Sequence, residues 1–266
     1  MPPWYPQKGV GPFGYTSGYV IPLPKRCFSD FGFFDNIVGK GAAIYHTAGA
    51  LGKGERIWIL AKLPSYIQVI GDDITEKYLL LSNSHDGKAS VQIKFTPIRV
   101  VCQNTLTMAL REGPTLRVPH TKDLHKRLKQ AEHLLGIIHS HYDNIEKIFK
   151  KMVRIKMNDK RSSEYFGMVF PDPRNLDDEV GHVRAKNQRL WAEYLAWNGQ
   201  GNYMHGVTGT LWAAYNGVTE LIDQCKSTQS RQTDDRRLNS LWFGDGYQIK
   251  ARAFRIAHQK VQEWLN

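Results

Sequence analysis

Across residues 122–153, apolar or small side chains recur at alternating steps of four and three: Leu124, Leu128, Ala131, Leu135, Ile138, Tyr142, Ile145, Phe149 and Met152. That spacing keeps one stripe on one face of an α-helix about nine turns long. Such a stripe must be covered, either by the rest of the chain as a core helix or by another copy as a coiled-coil seam. The sequence ahead of it carries the other period. Residues 44–101 read as β, with strands at 56–63, 78–82 and 90–95. His85, Asp86 and Gly87 supply the positive-φ position that a tight hairpin between the last two needs. In the third strand Val91, Ile93 and Phe95 alternate with Gln92 and Lys94, which predicts one face in the core and one in solvent.

The remaining elements follow from caps and breakers. Residues 104–110 can form a short helix, stopped by Gly113 and Pro114, and 116–120 reads as a short edge strand. Helices are expected at 177–197, 207–225 and 247–265. The polar stretch 226–237 between the last two is expected to be a flexible loop. The predicted class is α+β: an antiparallel β-sheet with a following helix in the front half, then a long helix and a helical C-terminal half. The expected divisions are a Gly/Pro-rich arm at 1–41, a β-rich core at 42–121 and a helical region at 122–266 packed on it.

Composition narrows the function. Hydrophobic residues make up 41% of 266, enough for a buried core. The formal charge of +11 favours a polyanionic partner. Residues 117–161 hold twelve Lys/Arg against five acids, a net +7. No apolar run reaches the ~20 residues of a membrane helix. Three scattered cysteines, Cys27, Cys102 and Cys225, fit a reducing cytosol, so a cytoplasmic location is expected.

The motifs that suggest chemistry each have a plainer reading. Residues 9–14 match a dinucleotide glycine pattern, but they follow no strand and contain Pro12. Residues 49–54 resemble a phosphate loop without its Lys-Ser/Thr ending, and read better as a hairpin turn. His125, His133, His139 and His141 share a helix without a metal-binding spacing. Cys102 follows Val100 and Val101, as a buried structural thiol would. No cofactor and no metal are expected.

Residues 45–64, 80–87, 96–106, 209–220 and 242–254 together resemble the family labelled phage/plasmid-like protein (domain of unknown function 932). The likeness runs from about Phe28 to the end, with the segment between the Pro3-Trp4 opening and the first strand shortened. It implies residence in mobile genetic elements rather than a reaction. A looser likeness of architecture, strands then a helix on a basic scaffold, is to single-strand annealing proteins of the Rad and Red-beta type, which form rings or filaments around one strand.

The leading expectation is a single-stranded-DNA-binding protein that promotes annealing or recombination for a phage or plasmid. Arg56, Lys62, Lys94 and Arg99 would line a groove on the sheet, with Trp58 and Tyr78 as stacking candidates or core residues. Lys122, Lys126, Arg127 and Lys129 would flank it, and Asn83, Gln103 and Asn104 would bond sugar or phosphate. Lys250 and Arg252 read as a merely solvated helix side. A homo-oligomer, ring or filament, would form through the arm or the long stripe. One alternative is a metal-dependent nuclease, for which Asp72, Asp73, Asp177, Asp178 and Glu179 are the available carboxylates. Another is a non-enzymatic interaction protein that uses the long helix only to oligomerise.

Overall fold

The computed structural model describes residues 43–51, 54–84, 92–106, 115–117, 124–225 and 234–265, with backbone alone at 115–117, at most positions of 124–138 and at 234–235. Six strands, β1 (Ile44–Leu51), β2 (Arg56–Ile70), β3 (Asp73–Ser84), β4 (Gln92–Phe95), β5 (Ile98–Arg99) and β6 (Thr115–Arg117), precede the helices. The helices are α1 (Leu124–Arg154), α2 (Asp159–Val169), α3 (Glu179–Asn198), α4 (Leu211–Glu220), α5 (Asp234–Trp242) and α6 (Asp245–Trp264). A π-helical turn, Leu221–Cys225, extends α4. The class is α+β, as the two periods require. The N-terminal arm and the His85 to Gly87 turn lie outside the described residues.

The sheet runs β1-β2-β3-β4-β6, with β5 on β3. β1 and β2 pair antiparallel from Leu51 opposite Arg56 to Ile44 opposite Lys62, with an irregularity between Tyr45 and Thr47. β3 meets β5 antiparallel at Thr75–Arg99 and Glu76–Ile98. Residues 104–106 are not helical. Arg99 N–H donates to the Asn104 carbonyl at 3.2 Å, Gln103 N–H to the Arg99 carbonyl at 2.8 Å, and Thr105 bridges Ile98. Gln103 turns this reversal at φ 55°. The half-exposed sheet face expected from β4 is present only in part: Gln92 is of intermediate exposure, but Lys94 is buried along with Ile93 and Phe95.

Two compact units divide the chain. The first comprises Met1–Pro64, Leu79–Lys94 and Leu116–Ile138; the second comprises Ser65–Tyr78, Phe95–Thr115 and His139–Asn266. In the first, the Trp58 indole lies on Gly49, where a Cβ would come within 2.7 Å of Cζ2. In the second, the C-terminal part of the α1 stripe is core. Tyr142, Ile145, Phe149 and Met152 are fully buried. Phe149 packs against Trp212 (ring centroids 4.4 Å) and Phe254 (6.2 Å). The Tyr142 hydroxyl donates to the Tyr78 carbonyl at 2.6 Å and accepts from its N–H at 3.1 Å. Helices α3 and α4 approach unusually closely, because a Cβ at Gly217 would stand 2.5 Å from the Ala192 carbonyl oxygen.

Candidate functional site

The residues expected to bind nucleic acid fall in both units. Arg56, Lys62, Asn83 and Lys94 belong to the first unit; Arg99, Gln103 and Asn104 belong to the second. Arg56 and Lys62 are half-buried on the same face of β2, and Asn83 is buried near the end of β3. Lys122 lies outside the described residues. Lys126, Arg127 and Lys129 sit on the N-terminal part of α1, where only the backbone is described. Trp58 and Tyr78 are core residues, 6% and 3% exposed, so neither offers a ring face to a base.

Lys94 and Arg56 do come together. Burial pushes the Lys94 ammonium down to about 8, and the Arg56 charge adds to that. A lysine held below its unfolded value keeps fewer protons folded than unfolded between the two pKa values, so stability climbs with pH across that window. Between pH about 8 and about 10, the wild type should gain on the order of 1–3 kcal/mol relative to Lys94→Met. Urea titrations of both proteins at the two pH values measure this; parallel pH dependences would remove the burial argument for Lys94.

Arg99 is a correction to the groove. It is fully buried and is held by a carboxylate rather than offered to a phosphate. Nε and Nη2 donate to the two oxygens of Asp73 at 2.8 and 2.7 Å, Nη1 to Asn202 Oδ1 at 2.8 Å and Nη2 to the Gly201 carbonyl at 3.0 Å. Trp212 Nε1 donates to Asp73 Oδ2 at 2.8 Å, and the guanidinium lies 5.5 Å from the Trp212 ring. Burial disfavours the cation, but the hydrogen bonds and charge of Asp73 oppose it, and Arg99 is held above its usual value. The neighbouring Cys102 thiol is pushed up to about 11 by burial, so it stays protonated and unreactive at neutral pH.

A second buried pair corrects the reading of α6. Lys250 is fully buried rather than solvated. Its Nζ donates to Asp223 Oδ1 at 2.7 Å and to Thr105 Oγ1 at 2.6 Å, while Asp223 Oδ2 accepts from the Thr105 N–H and hydroxyl at 2.6 and 2.7 Å. Burial lowers the Lys250 pKa and Asp223 opposes it. Asn104, also buried, has no hydrogen-bond partner among the described residues on either side-chain polar atom. Two of the carboxylates weighed for a nuclease are committed elsewhere: Asp73 holds Arg99, and Asp178 caps α3 by accepting from the Gly181 N–H at 2.9 Å. Among the described residues no group of three or more His, Cys, Asp or Glu could hold a metal ion.

Part of the solvent-facing positive charge of the second unit lies on two helices, α1 and α6. Lys147, Lys151 and Arg154 on α1 and Arg255 on α6 are exposed, with Arg252 and His258 half-buried. Partial burial lowers the His258 pKa and nearby Lys151 lowers it further; Arg252 is lowered by burial and then by Arg255. Lys151 on α1 therefore lies near His258 on α6, and Arg255 lies near Arg252 along α6. On α6 the sequence signal was available, as Arg252, Arg255 and His258 at steps of three share one helix side. The α1 members were counted in the basic segment but not singled out.

The chain belongs to the family described as Domain of unknown function (DUF932), whose profile matches residues 24–242. No curated protein matches it, and no solved structure does. Among the described residues, no helix is long and apolar enough to cross a membrane.

Proposed function

We propose that this member of the family binds single-stranded DNA and promotes strand annealing or recombination in a phage or plasmid setting, in the manner of the Rad and Red-beta type proteins. The observation that carries the reading is the set of exposed cations Lys147, Lys151 and Arg154 along α1 with Arg255 on α6. Lys147, Lys151 and Arg154 recur at steps of four and three, so they share one helix side. A row of phosphates supplies anions at regular intervals to such a row of cations. The net charge of +11 points the same way.

The test is anisotropy of a labelled single-stranded oligonucleotide across a salt series. Affinity is expected to fall with salt at a slope of about −0.7 per phosphate contact. Reversing Lys151 and Arg255 together to Glu should flatten that slope by about 1.4, two contacts' worth. Reversing Arg174, exposed on the loop before α3, should leave it unchanged. Equal effects from both variants would reduce the interaction to diffuse attraction. Absence of binding at low salt would remove the reading, and binding without faster pairing of complementary strands would remove its annealing part.

A further inference from the structure

Helix α3 is apolar on the side that faces solvent. Its inner side is mostly small: Ala185, Ala192 and Ala196 are buried, with Leu195 the one larger side chain among the buried residues of the helix. Its large side chains point outward, with Val180 70%, Val183 58%, Leu190 54%, Tyr194 55% and Trp197 47% exposed. These fall at steps of three and four, at 180, 183, 187, 190, 194 and 197, with the exposed Asn187 completing the series. That is the a/d register of a coiled coil over nearly three heptads, with one polar residue at a central a position.

We propose that this face is a homodimer seam, in which α3 of a second copy packs parallel to it about a two-fold axis. The choice of occupant and direction rests on charge. In this register Glu179, Lys186 and Glu193 take g positions, and Arg184, Trp191 and Asn198 take e positions. A parallel pair sets each g residue against the e residue five positions on in the partner. Glu179 then meets the partner subunit's Arg184, twice by symmetry, and the Lys186 stem meets the partner subunit's Trp191. An antiparallel pair would oppose Glu179 to the partner's Glu193, a repulsive arrangement. Asn187 meets the partner subunit's Asn187 across the axis, and a pair of this kind selects two strands in one register at some cost in stability. Three heptads make a weak coiled coil when the helices must form on association. Here α3 is already held by α4, so that ordering cost is absent. A two-fold seam also closes on itself, unlike the ring or filament expected from the long stripe, whose C-terminal part is core.

The experiment measures mass by light scattering or sedimentation at micromolar concentration, with and without DNA. The wild type is expected to be a dimer without DNA. Leu190→Glu, at an exposed position that folding does not depend on, should weaken the dimer by at least about a hundredfold while leaving the circular dichroism unchanged. Asn187→Leu should tighten association and admit higher oligomers. Cysteines at 183 and at 187, each in a Cys27→Ser, Cys225→Ser background, should both form interchain disulfides on oxidation. A monomeric wild type, or a dimer that Leu190→Glu does not disturb, overturns the proposal. Linking at 187 but not at 183 overturns the parallel direction. A monomer whose DNA binding is lost in Leu190→Glu would assign the face to nucleic acid instead. Because the dimer is assayed without DNA, its failure is distinct from failure of the nucleic-acid reading.

Discussion

Arg99→Met is expected to cost about 3–5 kcal/mol of folding stability, a large share of the roughly 5–15 kcal/mol a domain has. The loss does not come from the deleted attraction alone. Asp73 is fully buried, and without the guanidinium its carboxylate keeps one side-chain donor among the described residues, Trp212 Nε1. Asn202 Oδ1 and the Gly201 carbonyl lose their donor as well. Buried acceptors left unpaired carry their full desolvation cost. Lysine is no substitute at this position, because a point ammonium cannot reproduce the bidentate fork on Asp73. The double change Asp73→Leu with Arg99→Met removes both charges and should recover a large part of the loss. Urea unfolding followed by near-ultraviolet circular dichroism checks both; a single variant within about 1 kcal/mol of wild type would contradict the burial of this pair.

Asp223→Ala should have a comparable effect, on the order of 3–5 kcal/mol near neutral pH, with a pH dependence of its own. Among the described residues it leaves the fully buried Lys250 ammonium with the Thr105 hydroxyl alone, and it takes the acceptor from the Thr105 N–H. Burial already lowers the Lys250 pKa, and Asp223 is the group that opposes the lowering. Removing that opposition widens the gap between the folded and unfolded values. Across the gap the unfolded chain holds the additional proton, so the variant's stability should rise with pH by up to about 1.4 kcal/mol per unit, until the ordinary lysine value of about 10.4 is reached. The wild type should show a shallower rise over a narrower range. A variant whose deficit stays constant from neutral pH to about pH 10 would show that Lys250 holds its proton unaided.

Both effects arise where local patterning misled. The alternation of residues 91–95 was a sound strand signal, and β4 forms. Alternation, however, places residues on faces without saying what covers each face, and Lys94 proved buried. The short helix α2 went unread although Ser162, Tyr165, Phe166 and Val169 are buried at steps of three and four. Its charged first turn, Asp159 to Arg161, obscured the period. Only the first residues of helix α5, 234–237, fall in the stretch expected as loop, because its apolar side, Leu238, Leu241 and Trp242, lies beyond a run of charge.

From the sequence alone, the class, the long helix and the order of strands before helices could be determined, because hydrophobic period and capping act over a few residues and are written in adjacent positions. The excess of positive charge was equally legible, since it is a sum. Which charges remain available to a ligand was decided only by tertiary structure. Arg99 found its carboxylate 26 residues back and Lys250 found its own 27 residues back, and nothing in either neighbourhood marks the pairing. The outward apolar face of α3 is the converse case. Its period was present in the letters, but only the packing of its small residues against α4 left the large ones facing water. A helix with apolar residues on both sides has two ways to be buried, and the choice between them belongs to its neighbours.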